Sequence, residues 1–158
     1  MDDVMPLLER LLALHGESGR LHYLAGHFFR NAGDSAKALA HFGLSTRLTP
    51  GYAPAHRELG TELEKGGRIE DALLSFERAL ALEPREHVHY ANVIRLSERL
   101  GKLNDLAARW MARFQSGREN PALREGLVEV LHKSGRLEEA SRILGESSQP
   151  GSQDRPSE

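Results

Sequence analysis

Hydrophobic residues recur every three or four positions along most of the chain, in stretches of about a dozen residues. Such spacing places apolar side chains on one face of a helix. The stretches come in pairs, and each pair is divided by a short polar break containing Gly33, Gly67, Gly101 or Gly135. These four glycines are evenly spaced, and a fixed period of about 34 residues predicts an array of stacked units rather than a globule around one centre.

Each of these glycines is predicted to end the first helix of a pair, because glycine adopts positive φ without steric cost. The second helix begins within two residues, so the two helices should form an antiparallel hairpin. The pattern predicts first helices over 20–32, 54–66, 87–100 and 121–134. It predicts second helices over 35–48, 69–82, 103–116 and 137–145.

The two ends of the chain differ from the repeated part. The segment 3–15 is rich in leucine and, in register, takes the place of the second helix of an earlier, incomplete unit. We expect this helix to cap the first unit. Residues 147–158 offer no apolar side chain to bury and are expected to be disordered. The predicted organisation is therefore a capping helix in 1–18, units in 19–52, 53–86, 87–120 and 121–146, and a tail in 147–158.

Four kinds of residue recur at the interval of the glycines in the first two units: a small residue, an alanine, a phenylalanine and a proline. They are Gly26 and Gly60, Ala38 and Ala72, Phe42 and Phe76, and Pro50 and Pro84. This order at this period resembles the tetratricopeptide repeat family. The resemblance implies an all-α, right-handed solenoid of four helical hairpins with an N-terminal capping helix.

The third and fourth units depart from the family pattern. Ile94 and Val128 stand where a small residue is expected, and Trp110 and Leu144 stand where a phenylalanine is expected. The helical periodicity persists, so both units are interpreted as degenerate repeats. Because bulkier residues separate helix axes, their packing should differ from that of the first two units.

Composition excludes several classes of function. The 158 residues include no cysteine, which removes disulfides, thiol nucleophiles and zinc–thiolate sites. The net charge of -2 argues against a dedicated nucleic-acid binder, which would carry a basic excess. The chain lacks an apolar run long enough to span a bilayer, and its first residues make a poor secretory signal. We therefore expect a cytoplasmic protein without membrane insertion.

The histidines and carboxylates do not form a recognisable catalytic arrangement. His87 and His89 are two positions apart, which on a helix points their rings in opposite directions. His22 and His56 occupy equivalent positions and are interpreted as packing residues with one ring nitrogen hydrogen-bonded. The sequence contains no phosphate-binding loop, zinc-protease motif or nucleophile elbow. We expect no enzymatic activity, no metal and no cofactor.

The family resemblance implies that the first helices line a concave groove for partners. The positions that would face a ligand are Arg20, Tyr23, His27, Arg30, Asn31, Arg57, Thr61, Lys65, Asn92, Arg95 and Arg99. Across the first three units this face is predicted to carry six Lys or Arg side chains and two carboxylates, Glu64 and Glu98. Such a face should attract an acidic peptide. The same positions are also compatible with an ordinary solvated helix face.

The expected function is a non-enzymatic scaffold that binds a protein or peptide segment of acidic character in this groove. The alternative is a regulatory or substrate-recruiting module of a larger enzyme or of a secretion or envelope assembly. Some family members clamp the C-terminal carboxylate of chaperones with Lys, Asn and Arg. The corresponding positions, such as Tyr23, His27 and Glu58, do not reproduce that clamp, so the sequence predicts none.

Overall fold

The computed structural model of the protein describes residues 4–117 and 120–145. The predicted disordered tail, 147–158, lies outside these ranges. Within them the chain forms nine α-helices and no strand. They are α1 Val4–Leu14, α2 Gly19–Asn31, α3 Ser35–Leu48, α4 Ala53–Lys65, α5 Ile69–Leu82, α6 His87–Arg99, α7 Leu103–Gln115, α8 Pro121–Lys133 and α9 Leu137–Gly145.

The turns between paired helices form at the evenly spaced glycines. Gly33, Gly67, Gly101 and Gly135 have φ of 82°, 76°, 68° and 77°. After each glycine the next amide donates to a carbonyl in the last turn of the first helix, as Asp34 N does to Phe29 O at 2.9 Å. This bond satisfies a carbonyl that the end of the helix would leave without a partner. The glycine interpretation and the solenoid of helical hairpins are confirmed.

Two hydrophobic clusters run through the stacked hairpins. The smaller one joins α1 to the first hairpin through Leu8, Phe29 and Phe42. The larger one extends from α4 to α9. Leu59, which is partly buried, packs against both clusters. Each hairpin therefore packs mainly on its immediate neighbours, as expected for an array.

The first two hairpins pack closely where a glycine faces a phenylalanine. A Cβ added at Gly26 would lie 2.6 Å from the Phe42 ring, and one at Gly60 would lie 3.0 Å from Phe76. Both phenylalanines are almost completely buried. Such rings can lie this close to the facing helix only because no side chain is present there.

We expect Gly26→Ala to destabilise the protein by about 1–3 kcal/mol, because the new methyl group would overlap the immobile Phe42 ring. Gly43→Ala is the matched control, since Gly43 lies inside α3 with open space around its Cα. Alanine there should stabilise the protein by about 0.5–1 kcal/mol through helix propensity. Urea unfolding of both variants measures the difference. Equal shifts of the two midpoints would contradict the close packing.

The third hairpin is more open than the first two. Helices α6 and α7 approach each other less closely than α2 and α3 do, and α8 packs against both of them. Trp110 lies edge-on to Tyr90 at 5.0 Å between ring centroids. The close approach falls instead at Gly126 of α8, where a Cβ would lie 2.8 Å from the Tyr90 ring. A bulky pair within the third unit is thus accommodated by a glycine in the fourth.

The loops between hairpins repeat one hydrogen bond. His22 Nε2 bonds to Gly16 O at 2.9 Å, His56 Nε2 to Pro50 O at 3.0 Å, and Tyr90 OH to Pro84 O at 2.9 Å. The side chains and the carbonyls both recur at the interval of the repeat. Helices α1, α3 and α5 end at the same interval, at Leu14, Leu48 and Leu82. Helix α1 therefore stands where the second helix of a hairpin would stand.

Candidate protein-binding groove

The candidate groove is the face of α2, α4 and α6 that carries the predicted ligand positions. All of those positions are partly or fully exposed to solvent. Contacts connect several of them: Tyr23, His27 and Arg30 lie together on α2, and Asn92, Arg95 and Arg99 on α6. Whether a partner binds on this face remains a prediction.

An aromatic group lies at the N-terminal end of this face. The Tyr23 ring is 4.5 Å from His27 and 5.1 Å from Tyr52, measured between centroids. The Arg20 guanidinium lies 5.7 Å from the centroid of Tyr52, within the range of a cation–π contact. Burial raises the pKa of Tyr23, and the nearby Glu58 carboxylate adds to that rise. This end of the groove offers aromatic surface beside a positive charge.

Tyr52 was not among the predicted positions. It lies just before α4, at the N-cap, whereas the prediction considered only residues inside helices. A bulky residue directly before a first helix could have indicated it, because the chain there turns back toward the preceding hairpin.

A dense group of ion pairs joins α2 to α4. Arg30 Nη1 lies 2.5 Å from Glu58 Oε2 and 3.7 Å from Glu62 Oε1. Arg57 also donates to Glu58, at 3.1 Å, and Lys65 donates to Glu62 at 2.8 Å. Burial raises the pKa of Glu58, but the hydrogen bonds from Arg30 and Arg57 outweigh burial and hold that pKa below its usual value. The Glu58 carboxylate is therefore charged and compensated.

The next first helices are joined in the same way. Glu64 of α4 accepts from Arg95 Nη2 at 2.8 Å and from Arg99 Nη1 at 3.0 Å. Hydrogen bonding from Arg95 is the largest effect that lowers the pKa of Glu64. Lys133 of α8 donates to Glu98 of α6 at 2.8 Å. Each adjacent pair of first helices in the described chain is thus linked by an ion pair.

The ion pairs change the predicted charge of the groove. The count of carboxylates from the sequence missed Glu58 and Glu62, so six cations face four carboxylates rather than two. The missed pair lies one turn apart on the side of α4 that faces α2. The side chain of Glu62 is only 1% exposed, whereas those of Lys65 and Arg99 are 53% and 52% exposed. Cations consequently form the outer layer above buried carboxylates.

Two histidines, His27 and His89, make internal hydrogen bonds, whereas His87 is exposed. Arg30 Nη2 lies 2.6 Å from His27 Nδ1, which makes this nitrogen the acceptor. Burial lowers the pKa of His27, and the neighbouring Arg30 lowers it further. His89 is fully buried and bonds Glu83 at 3.1 Å, whereas His87 is exposed and lies 3.1 Å from Glu125. The two rings therefore point apart, as the helical spacing predicts.

Residues 4–117 and 120–145 show neither a metal site nor a helix that could cross a membrane. No group of three or more His, Asp or Glu side chains is arranged there to hold a metal ion. None of the helices in the same ranges combines the length and apolar character that a bilayer-spanning segment requires.

Comparisons with known proteins support the fold. No protein-family model matches the chain. A stretch of 72 residues is 33% identical to human protein O-mannosyl-transferase TMTC2; it covers 46% of this chain and 9% of that protein. The chain thus spans less than a tenth of that relative, and the transferase activity belongs to a much larger protein.

Three solved structures share the architecture at low sequence identity. MamA superposes with a TM-score of 0.61 at 14% identity, covering 89% of this chain and 82% of its own. Naa15, in a complex with Naa10 bound to HypK, gives 0.63 at 16%, covering 94% and 22%. The Cut9–Hcn1 hetero-tetramer gives 0.56 at 16%, covering 90% and 27%. These matched proteins contain tetratricopeptide repeats. The class defined by the fold is therefore a tetratricopeptide-like solenoid of helical hairpins.

Proposed function

We propose that this protein is a non-enzymatic interaction module that binds an extended acidic segment of a partner protein along the face of α2, α4 and α6. The observation that carries the proposal is the layered charge on this face. Buried Glu58 and Glu62 and the mostly buried Glu64 fix the cations above them, and those cations remain open to solvent. A fixed cationic surface is suited to carboxylate ligands.

The anchoring carboxylates also prepare the cations for binding. Arg57 uses Nε and Nη2 to hold Glu58, and Arg99 uses Nη1 to hold Glu64. The remaining N–H groups of each guanidinium are free to donate to a ligand, since a guanidinium carries five donors. Because the side chains are already held, binding costs less conformational entropy than it would for free arginines.

The aromatic end supplies a second kind of contact. Tyr23 and Tyr52 pack edge to face, and the Arg20 guanidinium lies over the Tyr52 ring. An apolar side chain of the ligand can pack on these rings while a neighbouring carboxylate meets Arg20. The preferred ligand is therefore acidic, with an apolar residue that lies against α2.

The proposal can be tested with a fluorescein-labelled peptide of Glu and Ala that carries one phenylalanine. In the triple variant Arg20→Gln, Lys65→Gln, Arg99→Gln we expect the affinity to fall about tenfold or more, measured by fluorescence anisotropy at low salt. These side chains are exposed, so the fold should be retained.

The matched control removes the same charge from the second helices, as Arg47→Gln, Arg78→Gln, Arg113→Gln. These three arginines are also exposed and lie one each on α3, α5 and α7. We expect the control to bind within about twofold of wild type, because its arginines can affect the peptide only through long-range electrostatics. An equal loss in both variants, or no binding by wild type, would contradict the assignment.

A further inference from the structure

Helix α1 carries an apolar stripe that nothing covers within residues 4–117 and 120–145. Val4, Leu7, Leu11 and Leu14 lie along one line of the helix and are 49%, 58%, 37% and 66% exposed. The other apolar line, which includes Leu8, packs on the first hairpin. A terminal element that only capped the array would present a polar outer face.

The equivalent residues of α3 show what surrounds this line of the helix in the next unit. Since α1 is in register with α3, Leu7 and Leu11 correspond to His41 and Ser45. The His41 ring stacks on Phe29 of α2 at 5.0 Å, and Ser45 is fully buried. The middle of the same line is thus buried in α3, where His41 packs on the first helix of its own hairpin, whereas Leu48, which corresponds to Leu14, is 41% exposed. Helix α1 has no such helix among the described residues.

Leu24 of α2 extends the exposed apolar surface and is 61% exposed. The equivalent residue of α4 is Glu58, which contacts Arg30 on the preceding first helix. The equivalent residue of α8 is Gly126, which lies against Tyr90 of α6, again the preceding first helix. A single helix beside α1 would therefore cover both the stripe of α1 and Leu24 of α2.

We propose that this surface binds one amphipathic helix of a partner protein, seated where the first helix of another hairpin would lie. The surface is distinct from the candidate groove, and the proposal does not depend on the function of that groove. The occupant would present an apolar stripe about three turns long to α1 and Leu24. Recognition is of the helix-in-groove kind, with apolar residues at helical spacing as anchors.

Charge around the surface defines the flanks of this partner helix. Arg10 borders the stripe between Leu7 and Leu14 on α1. Glu9 falls on the opposite side of α1 from the stripe. Arg10 forms no ion pair with a carboxylate in the part of the chain described. The apolar stripe of the partner helix is therefore expected to be flanked by Glu or Asp.

A second copy of this chain fits the surface less well. Helix α1 has 11 residues and is about 16 Å long. The stripe of a second copy is itself bordered by Arg10 and not by an acidic residue, so it lacks the flanking carboxylates that Arg10 would attract.

The test uses a synthetic helical peptide of about 14 residues with leucines on one face and Glu and Ala elsewhere. Binding to the wild-type chain is followed by fluorescence anisotropy, and the contacted amides by hydrogen exchange. We expect the variant Leu7→Glu, Leu11→Glu to weaken binding about tenfold or more, and protection on binding to be confined to α1 and α2. The matched control is Leu74→Glu, Leu137→Glu, which alters leucines of similar exposure on α5 and α9.

Each outcome decides for or against the proposal. Selective loss in the α1 variant, with the control binding as wild type, supports it. Equal binding by both variants, or no binding by wild type, overturns it. So does a wild-type dimer in sedimentation that becomes monomeric on Leu7→Glu, Leu11→Glu, because a second copy would then occupy the surface. Circular dichroism confirms that the variants remain helical.

Discussion

Replacing Phe42 with alanine is expected to lower the free energy of unfolding by about 3–5 kcal/mol. The ring is fully buried, lies against Gly26 and packs edge-on to His27 at a centroid distance of 5.2 Å. Gly26 has no side chain that could move into the space left by the ring. The cavity would therefore stay largely open, which places the cost in the upper part of the range for core truncations.

Thermal and urea unfolding of Phe42→Ala would measure this loss. Leu74→Ala is the exposed control, because Leu74 lies on α5 with 64% of its surface in solvent and should shift stability by less than about 0.5 kcal/mol. Phe42→Leu retains most of the apolar volume and should fall between the two variants. A Phe42→Ala protein as stable as the Leu74→Ala control would refute the assignment of Phe42 to the centre of the first hairpin.

Removing the charge of Arg30 is expected to have the second-largest effect on stability, about 2–3 kcal/mol for Arg30→Met. The substitution leaves Glu62, whose side chain is 1% exposed, with Lys65 alone, and Glu58 with Arg57 alone. The loss of stability would be larger if Arg30 were completely buried, but 24% of its side chain is exposed to solvent. Arg47→Met, on the exposed side of α3, is the control and should change little.

The loss in Arg30→Met should depend on pH with a definite sign. In the wild type the pKa of Glu58 is lowered, so its contribution is present above the unfolded pKa and is lost as the pH falls through the folded pKa. In the variant, burial is opposed only by Arg57, and the pKa of Glu58 should rise. The stability difference between the two proteins should therefore be largest near neutral pH and shrink toward about pH 4.

A second substitution should regain part of the stability that is lost in Arg30→Met. Glu62→Leu in the Arg30→Met background removes the carboxylate that is left with Lys65 alone and places an apolar side chain at a buried site. A double variant less stable than Arg30→Met would show that Glu62 is stabilised mainly by Lys65, in conflict with the role given to Arg30.

The sequence was most informative where backbone conformation restricts the choice of residue. A turn with positive φ favours glycine strongly, so the four evenly spaced glycines located every hairpin. The packing of Gly26 against Phe42 could also be predicted from the sequence, because a small residue and a phenylalanine recur together in the first two units. These constraints are local to a hairpin and therefore leave a pattern in the chain.

The charge of the groove could not be predicted in the same way, because it depends on contacts between hairpins. Glu58 and Glu62 belong to α4, yet their compensating charge includes Arg30 of α2, which lies in the preceding hairpin. A glutamate on a helix is usually solvated, and only the neighbouring helix places these two beneath a layer of cations. Tyr52, which meets Tyr23 across a hairpin boundary, lies just before α4, outside the helices to which the predicted positions belong.

The two hydrophobic clusters imply that α1 to α3 can open locally while the larger cluster stays packed. Leu8, Phe29 and Phe42 hold α1 to α3, the larger cluster holds α4 to α9, and Leu59 lies between them. In a linear array each unit is stabilised by its neighbours, so the terminal unit with one neighbour opens most often. The N-terminal third should therefore act as a separate cooperative folding segment that exchanges its amide hydrogens first. A partner bound at α1 would slow that exchange.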